Sequence, residues 1–342
     1  MDSERYVSIG DGNVYLAKND PLDQFDTSLN DLIKHDENLS YDQVTRIQFQ
    51  GAENYTISYN EEGDSLCDED VYFTEQGGKT VPLDTDRVGY YLESLVTAEL
   101  KDYKTYKATE EDLAAFSLDQ PELIVTVDYT ITGEDKKEQA GTYVLSVSRD
   151  PEELAAAEKA GNEEAEADED EEEEITAYAR VGDSPIVYQL DKVDYIALMA
   201  ASYNSLRHRQ VLAADFEDVY QVDISLEGAD YSLVTDGKDK DDQPVWKYQE
   251  EEIEIDSFQK ELYALSVTAP EDFTTESPSG KEEISLTLYL DNERCPQLSI
   301  ALYRRDGNDC LALVDGKPFA LIPRADAVDL IEAVNAIVLN GA

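Results

Sequence analysis

Histidine, methionine, tryptophan and cysteine are scarce in this chain of 342 residues, with two, two, one and three copies. A metal centre built on the two histidines would need both to converge with carboxylates at ligand spacing. They stand far apart in the chain, in "IKH" and "LRH", each just past a helical pattern. His35 and His208 therefore read as cations favoured by helix C-termini. Positive charge is also in short supply: 27 Lys and Arg stand against 78 Asp and Glu, a net charge of −51. A field of that sign repels nucleic acid and anionic membrane surfaces. Basic proteins, polyamines and divalent cations are the charged partners it would attract, and a halophilic origin would also produce it. No apolar run is long enough for a membrane-spanning helix, and no charged-then-apolar leader opens the chain.

The cysteine count is odd. "LSIALYRR" and "CLALV" read as the arms of a hairpin around "DGND", with Arg305 opposite Cys310. Cys295 then lies roughly 30 Å down its arm at strand rise, beyond disulfide reach. Free thiols are expected, and they leave the redox compartment unassigned.

Catalytic motifs are missing as well. There is no G-x-S-x-G, no H-E-x-x-H and no phosphate loop. "SIGDGN" carries glycines but sits in a hairpin turn and opens no helix. "TDGKDKDDQPVW" lacks the Asp-x-Asp-x-Asp-Gly order and closing Glu of a calcium loop, and reads as a solvated turn before Trp246. Carboxylates are so abundant that no glycosidase-like pair stands out. Of the 22 tyrosines, Tyr55, Tyr143, Tyr178 and Tyr188 fall in strand patterns, where tyrosine is a good strand former. No residue is assigned a catalytic, cofactor-binding or metal-binding role, and no cofactor is implied.

What the chain does contain is repetition. Tyr6, Gly10-Asp11 and Val14-Tyr15 match Tyr178, Gly182-Asp183 and Val187-Tyr188. The helical pattern that follows carries Leu22, Phe25, Leu29 and Leu32, which become Ile196, Met199, Tyr203 and Leu206 on adding 174. That spacing is one face of an α-helix. A third copy ends the chain, with Val328, Ile331 and Val338 on the same face and Asn335 as the departure. The front halves repeat too: "IQFQGAE" at Ile47 matches "ISLEGAD" at Ile224, and Asp84 and Asp256 are expected helix N-caps. "FSLDQP", Phe116 to Pro121, returns as "FTTESP", Phe273 to Pro278.

Each complete module reads β-β-β-α, a short helical turn, then β-β-β-β and a closing α. The expected class is α+β: tandem modules, each a mainly antiparallel sheet with two helices packed on it. Residues 41–210 form one complete module and 211–342 a second. Residues 1–40 read as the back of a module whose front is missing, as if cut from a longer parent, with the helix face packed against protein. Where "LSIALYRRD" turns tightly, "YVLSVSRD" is followed by residues 151–174, rich in Glu and Asp. This is expected to be a solvated insertion at a hairpin tip, helical at its start, whose replacement by Gly-Asn-Asp leaves the fold intact.

The Leu-Asp-x-Pro of "FSLDQP" after an aromatic, and the Gly-Asp turn before a Val-Tyr strand in "IGDGNVYL" and "VGDSPIVYQL", resemble the domain-of-unknown-function family 4340 over nearly the whole chain. "FTTESP" and "VDGKPFAL" depart from the pattern. The resemblance implies tandem modules in surface or lipoprotein-type proteins of Gram-positive gut bacteria, anchored to the membrane by a segment upstream, with some members encoded beside transporters. It implies no catalytic residue. The expected function is thus non-enzymatic: an extracytoplasmic binding or scaffold protein at the cell surface, whose partner is a protein with a basic surface or a transporter component. No nucleic acid and no direct membrane insertion by this chain are expected, and the acidic run allows only weak, unspecific association with divalent cations. Two alternatives are an enzyme acting on wall polysaccharide through paired carboxylates and a calcium-dependent adhesin.

Overall fold

The computed structural model describes residues 5–8, 10–17, 32–65, 67, 69–133, 136–162, 175–238, 244–293 and 295–340. Strands β1 (Arg5–Val7) and β2 (Tyr15–Ala17) pair antiparallel as a sheet of their own. Gly10 and Gly12 turn the chain with φ of 83° and 86°, values that a side chain would strain. Asp11 closes the turn by accepting from the Asn13 amide and the Tyr15 hydroxyl. Of the helix face proposed next, Leu22, Phe25 and Leu29 lie outside the described residues. Leu32 is 72 % exposed, so it does not pack as expected.

Two larger antiparallel sheets follow. The first contains β3 (Gln43–Gly51), β4 (Tyr55–Tyr59), β5 (Tyr72–Gln76), β6 (Lys79–Pro82), β7 (Tyr103–Thr105), β8 (Leu123–Thr132), β9 (Glu138–Arg149), β10 (Ala177–Val181) and β11 (Val187–Leu190). Their order is β6-β5-β4-β3-β8-β9-β10-β11-β7. The second contains β12 (Val219–Leu226), β13 (Ala229–Lys238), β14 (Pro244–Tyr248), β15 (Glu251–Ile253), β16 (Glu282–Leu290), β17 (Gln297–Arg304), β18 (Asp309–Val314) and β19 (Lys317–Pro323), in the order β15-β14-β13-β12-β16-β17-β18-β19. The helices are α1 (Thr85–Thr97), α2 (Glu110–Ala115), α3 (Pro151–Asn162), α4 (Lys192–Met199), α5 (Tyr203–Leu206), α6 (Asp256–Ala264) and α7 (Arg324–Asn340). The class is α+β. The chain divides into two compact units: Met1–Ser40, Leu95–Val125 and Tyr143–Leu198 form one, and Tyr41–Ser94, Thr126–Thr142 and Met199–Ala342 the other.

The eight-stranded sheet shows how the pattern makes the layer. Along β16, Ile284, Leu286, Leu288 and Leu290 are buried and alternate with half-buried Ser285, Thr287 and Tyr289 on the opposite face. Helices α6 and α7 pack on each other and share the core with these strands. Phe258 and Leu262 of α6, and Ala327, Leu330, Val334 and Val338 of α7, supply their helix faces. Of the face expected there, Val338 is buried and Ile331 packs against the core, while Val328 is half-buried beside Ala327. Asn335 is half-buried beside this face, which resolves its departure from the pattern.

Four expectations need correcting. First, four strands and not three precede α1 and α6. The β14–β15 turn places Gln249 and Glu250 at φ of 49° and 70°, without the Asn or Gly that marks such turns. Second, Asp256 is the first residue of α6, not its cap; the cap is Ile255 and makes no side-chain bond. Asp84 does cap α1, its carboxylate accepting the Arg87 amide at 3.2 Å. Third, Arg304, not Arg305, pairs with Cys310, because Arg305 instead closes the loop by donating to the Asp309 carbonyl. Fourth, Ile196 to Leu206 is not one helix. Ser202 caps a new start, accepting the Ser205 amide at 3.1 Å, which separates α4 from α5 and leaves Ile196 52 % exposed. All three cysteines are free.

The acidic insertion opens as helix α3. One Asp150 oxygen accepts the Glu152 and Glu153 amides and the other the Tyr178 hydroxyl at 2.7 Å, while Glu153 accepts the Thr176 amide at 2.8 Å. Its first turn is thus tied to β10, so the proposed excision of all of 151–174 removes an anchored cap. Residues 163–174 lie outside the described residues. Replacing 157–174 by a short Gly-Ser link spares these bonds. It is expected to leave the melting temperature unchanged at high salt and to raise it slightly at low salt as like charges are removed. A loss of many degrees in a thermal melt would show that this segment packs on the fold.

Candidate functional site

His208 follows α5 by two residues and reaches into a cleft of about 220 Å³. Its Nε2 lies 2.8 Å from Asp70 Oδ2 and its Nδ1 4.0 Å from Asp84 Oδ2. Two carboxylates therefore lie against this ring, which also stands just past a helix end as expected. Asp70 comes from the loop between β4 and β5, and its carboxylate is almost fully buried. Its Oδ2 also accepts the Ser65 hydroxyl at 2.6 Å, and Ser65 Oγ in turn accepts the Cys67 amide at 3.2 Å. Asp84 is placed by capping α1; it also donates its amide to the Leu206 carbonyl and pairs with Arg87 at 3.3 Å.

Serine, histidine and aspartate thus meet, but in an order that fixes their chemistry. In a nucleophilic relay the imidazole stands between hydroxyl and carboxylate and takes the hydroxyl proton. Here the carboxylate stands in the middle, and the Ser65 hydroxyl donates to Asp70. The hydroxyl is held as a donor and not activated. Cys67 lines the same cleft. Burial first, and the nearby charges of Asp70, Asp215 and Glu69 after it, raise its thiol pKa, against a lowering bond from the Glu69 backbone. That is the reverse of a reactive thiolate. The geometry positions a loop against His208.

His35 sits in the other compact unit, with its ring centroid 6.0 Å from Tyr188 and 6.2 Å from Tyr103. Among the described residues no cluster of three or more His, Cys, Asp or Glu side chains is arranged to hold a metal. The capping pattern points to Asp84. Nothing in the sequence distinguishes Asp70 from the other acids.

A second feature lies at the edge of the eight-stranded sheet. Strand β15 is the terminal strand there and is only three residues long. Glu251 and Glu252 on it, and Glu254 just past its end, are exposed and line a groove of about 360 Å³ together with Ile253, Ala333, Ala336 and Ile337. Charged residues on a short edge strand discourage edge-to-edge aggregation. They also leave an anionic margin beside apolar residues of α7.

These features define an α+β protein of antiparallel sheets with a buried Ser–Asp–His cluster and an acidic open margin. The chain belongs to the family described as Domain of unknown function (DUF4340), whose model matches residues 74–286, a shorter stretch than the near-complete resemblance read from the motifs. No curated protein and no solved structure matches the chain. The motif aromatics serve packing: Phe116 meets Tyr178 at 4.6 Å between centroids, and Phe273 meets Phe319 at 5.3 Å. Among the described residues no helix is long and apolar enough to cross a membrane, which says nothing about β-barrels.

Proposed function

We propose that this is a non-enzymatic binding protein of the extracytoplasmic surface, whose partner presents a basic, amphipathic segment of protein. The observation that carries the reading is the β15–α7 groove, lined by three exposed glutamates together with apolar residues of β15 and α7. Complementary charge speeds encounter and sets register, while the apolar lining supplies burial. The net charge of −51 favours the same class of partner.

The test is a titration with a Lys-rich amphipathic peptide, followed by fluorescence anisotropy. Saturable, salt-sensitive binding is expected, and the double substitution Glu252→Lys and Glu254→Lys should abolish it. Glu110→Lys with Glu111→Lys on α2 changes the net charge equally and should leave binding nearly intact. Equal losses from both pairs would reduce the effect to bulk electrostatics and sink the reading.

We also infer that residues 41–210 and 211–342 are copies of one module. The strand order supports this: in each sheet the first four strands run outward in reverse and a later run of four follows in sequence, β8 to β11 and β16 to β19, with β7 an extra edge strand beyond β11. So does a core cluster drawn only from Val211 to Val338. Residues 211–342 alone should melt in one cooperative transition; a non-cooperative melt would argue against an independent module.

A further inference from the structure

In a chain with 78 acidic residues, one arginine is surrounded by rings instead of acids. Arg207 caps α5, and its guanidinium lies over the ring of Phe273 at 4.2 Å, Phe319 at 5.0 Å and Tyr203 at 5.1 Å. Among the described residues no carboxylate or carbonyl hydrogen-bonds its side chain, whereas Arg304 and Arg324 share Glu283 and Arg46 meets Asp128. Aromatic faces attract the cation from above and below its plane. Ring faces offer the N–H groups at its edge no carboxylate or carbonyl acceptor. Burial lowers the pKa of Arg207, the mark of a cation partly stripped of water.

Arg207 lines a cavity of about 230 Å³. Val81, Pro82, Val211, Leu298, Val314 and Phe319 make its apolar wall. His208 and Gln210 also line it, but His208 Nε2 is already committed to Asp70. A half-buried cation with no carboxylate partner, lining a largely apolar cavity, fits a ligand with one planar anionic end and a hydrocarbon body. The guanidinium fork matches a carboxylate with two parallel bonds. The volume, below the roughly 300–1,000 Å³ of drug-sized sites, confines the ligand to a small fragment. A polyanion would meet the repulsion of the whole chain, while a single carboxylate meets much less, and physiological salt screens charges beyond about 8 Å.

We propose that the Arg207 cavity binds the carboxylate of a small amphiphilic acid, the guanidinium edge holding the carboxylate and the apolar wall its hydrocarbon. Two sources share this chemistry: a free short-chain carboxylic acid, and the C-terminal carboxylate of a peptide ending in an apolar residue. The site is independent of the β15–α7 groove, so failure of either proposal leaves the other standing.

The experiment is calorimetric or NMR titration of the full chain with hexanoate, hexanamide, N-acetyl-Val-Leu with a free carboxylate, its C-terminal amide, and inorganic phosphate. Hexanoate is expected to bind and hexanamide not to. Tighter binding of the free-carboxylate peptide than of hexanoate assigns the site to chain termini, and the opposite order assigns it to free acids. Arg207→Met keeps the packing volume and should weaken the carboxylate by about tenfold or more, the loss of one charge-assisted pair. Should that variant melt early, Val81→Trp fills the cavity from its wall and is expected to block hexanoate while Arg207 stays in place. Equal binding of hexanoate and hexanamide, phosphate binding as tight as hexanoate, or no hexanoate binding at all overturns the proposal.

Discussion

Asp70→Ala is expected to destabilise the protein by about 2–4 kcal/mol, because it removes the buried acceptor shared by the Ser65 hydroxyl and His208 Nε2. The carboxylate side chain is only 2 % exposed, so its lone pairs must be met by donors within the protein. Ser65 and His208 supply them at 2.6 and 2.8 Å on one oxygen. Truncation removes both of these bonds and leaves a void that the loop cannot close without losing its own bonds. The loop carries further coupling: the Cys67 amide donates to Ser65 Oγ, and the Asp70 amide to the Cys67 carbonyl. Asp70→Asn retains shape and one acceptor, and should cost less than Asp70→Ala. Urea melts of the wild type, Asp70→Ala, His208→Ala and the double variant measure the pair. The double variant is expected to fall well short of the sum of the singles, since each single change already breaks the contact. Strict additivity would mean that the approach of His208 to Asp70 contributes nothing.

That cluster also marks where legibility ends. Strands with strict alternation, such as "EISLTLYLD", are readable because one face is buried by helices and the other is not, and the period of two records it. Helix α1 is readable from Asp84, whose capping bond is local. The β14–β15 hairpin is not, because Gln249 and Glu250 take left-handed φ without the residue types that advertise it. Such a turn is held by the pairing of Trp246 with Ile253 and Tyr248 with Glu251 and not by its own composition. The break between α4 and α5 is masked for a related reason: Ser202 looks like any polar helix residue until its side chain is seen on the Ser205 amide. Asp70 and Arg207 are legible only in three dimensions. Asp70 meets its histidine from a distant part of the chain, and two of the rings around Arg207, Phe273 and Phe319, arrive from well beyond it in sequence. In an acidic chain the sequence signal of one functional carboxylate disappears among dozens. The rare cations carry more information, and of the arginines Arg207 stands out by the three rings around its guanidinium.

Glu283→Ala is expected to cost about 2–3 kcal/mol, less than the roughly 3–5 kcal/mol of a fully buried pair because both arginines keep some solvent. The Glu283 side chain is 8 % exposed, against 52 % for Arg304 and 29 % for Arg324. One of its oxygens accepts Arg304 Nε at 2.7 Å and Arg324 at 3.2 and 3.3 Å; the other accepts the Cys310 thiol at 3.5 Å. It therefore ties β16 to β17, β18 and the first residue of α7. Burial opposes its ionisation, but the bonds from Arg304 and Arg324 outweigh it and hold the carboxyl below the ordinary glutamate range. The same setting pushes the Cys310 thiol to about 12, chiefly by burial and then by the Glu283 charge, so this cysteine stays protonated and inert to alkylation in the native state. A carboxyl whose pKa falls on folding binds fewer protons in the native state than in the unfolded one. Its contribution is then complete above the ordinary glutamate value of about 4.3 and disappears as pH falls through the lower folded value. Many other carboxylates titrate over the same range, and protonating them relieves the repulsion of a strongly negative chain, so the wild-type profile alone is uninformative. The difference between the wild type and Glu283→Gln isolates the group. Melts from neutral pH down to about pH 3 are expected to show a gap that is constant near neutrality and narrows on acidification. A gap independent of pH would mean that Glu283 acts through packing alone, with no contribution from its charge.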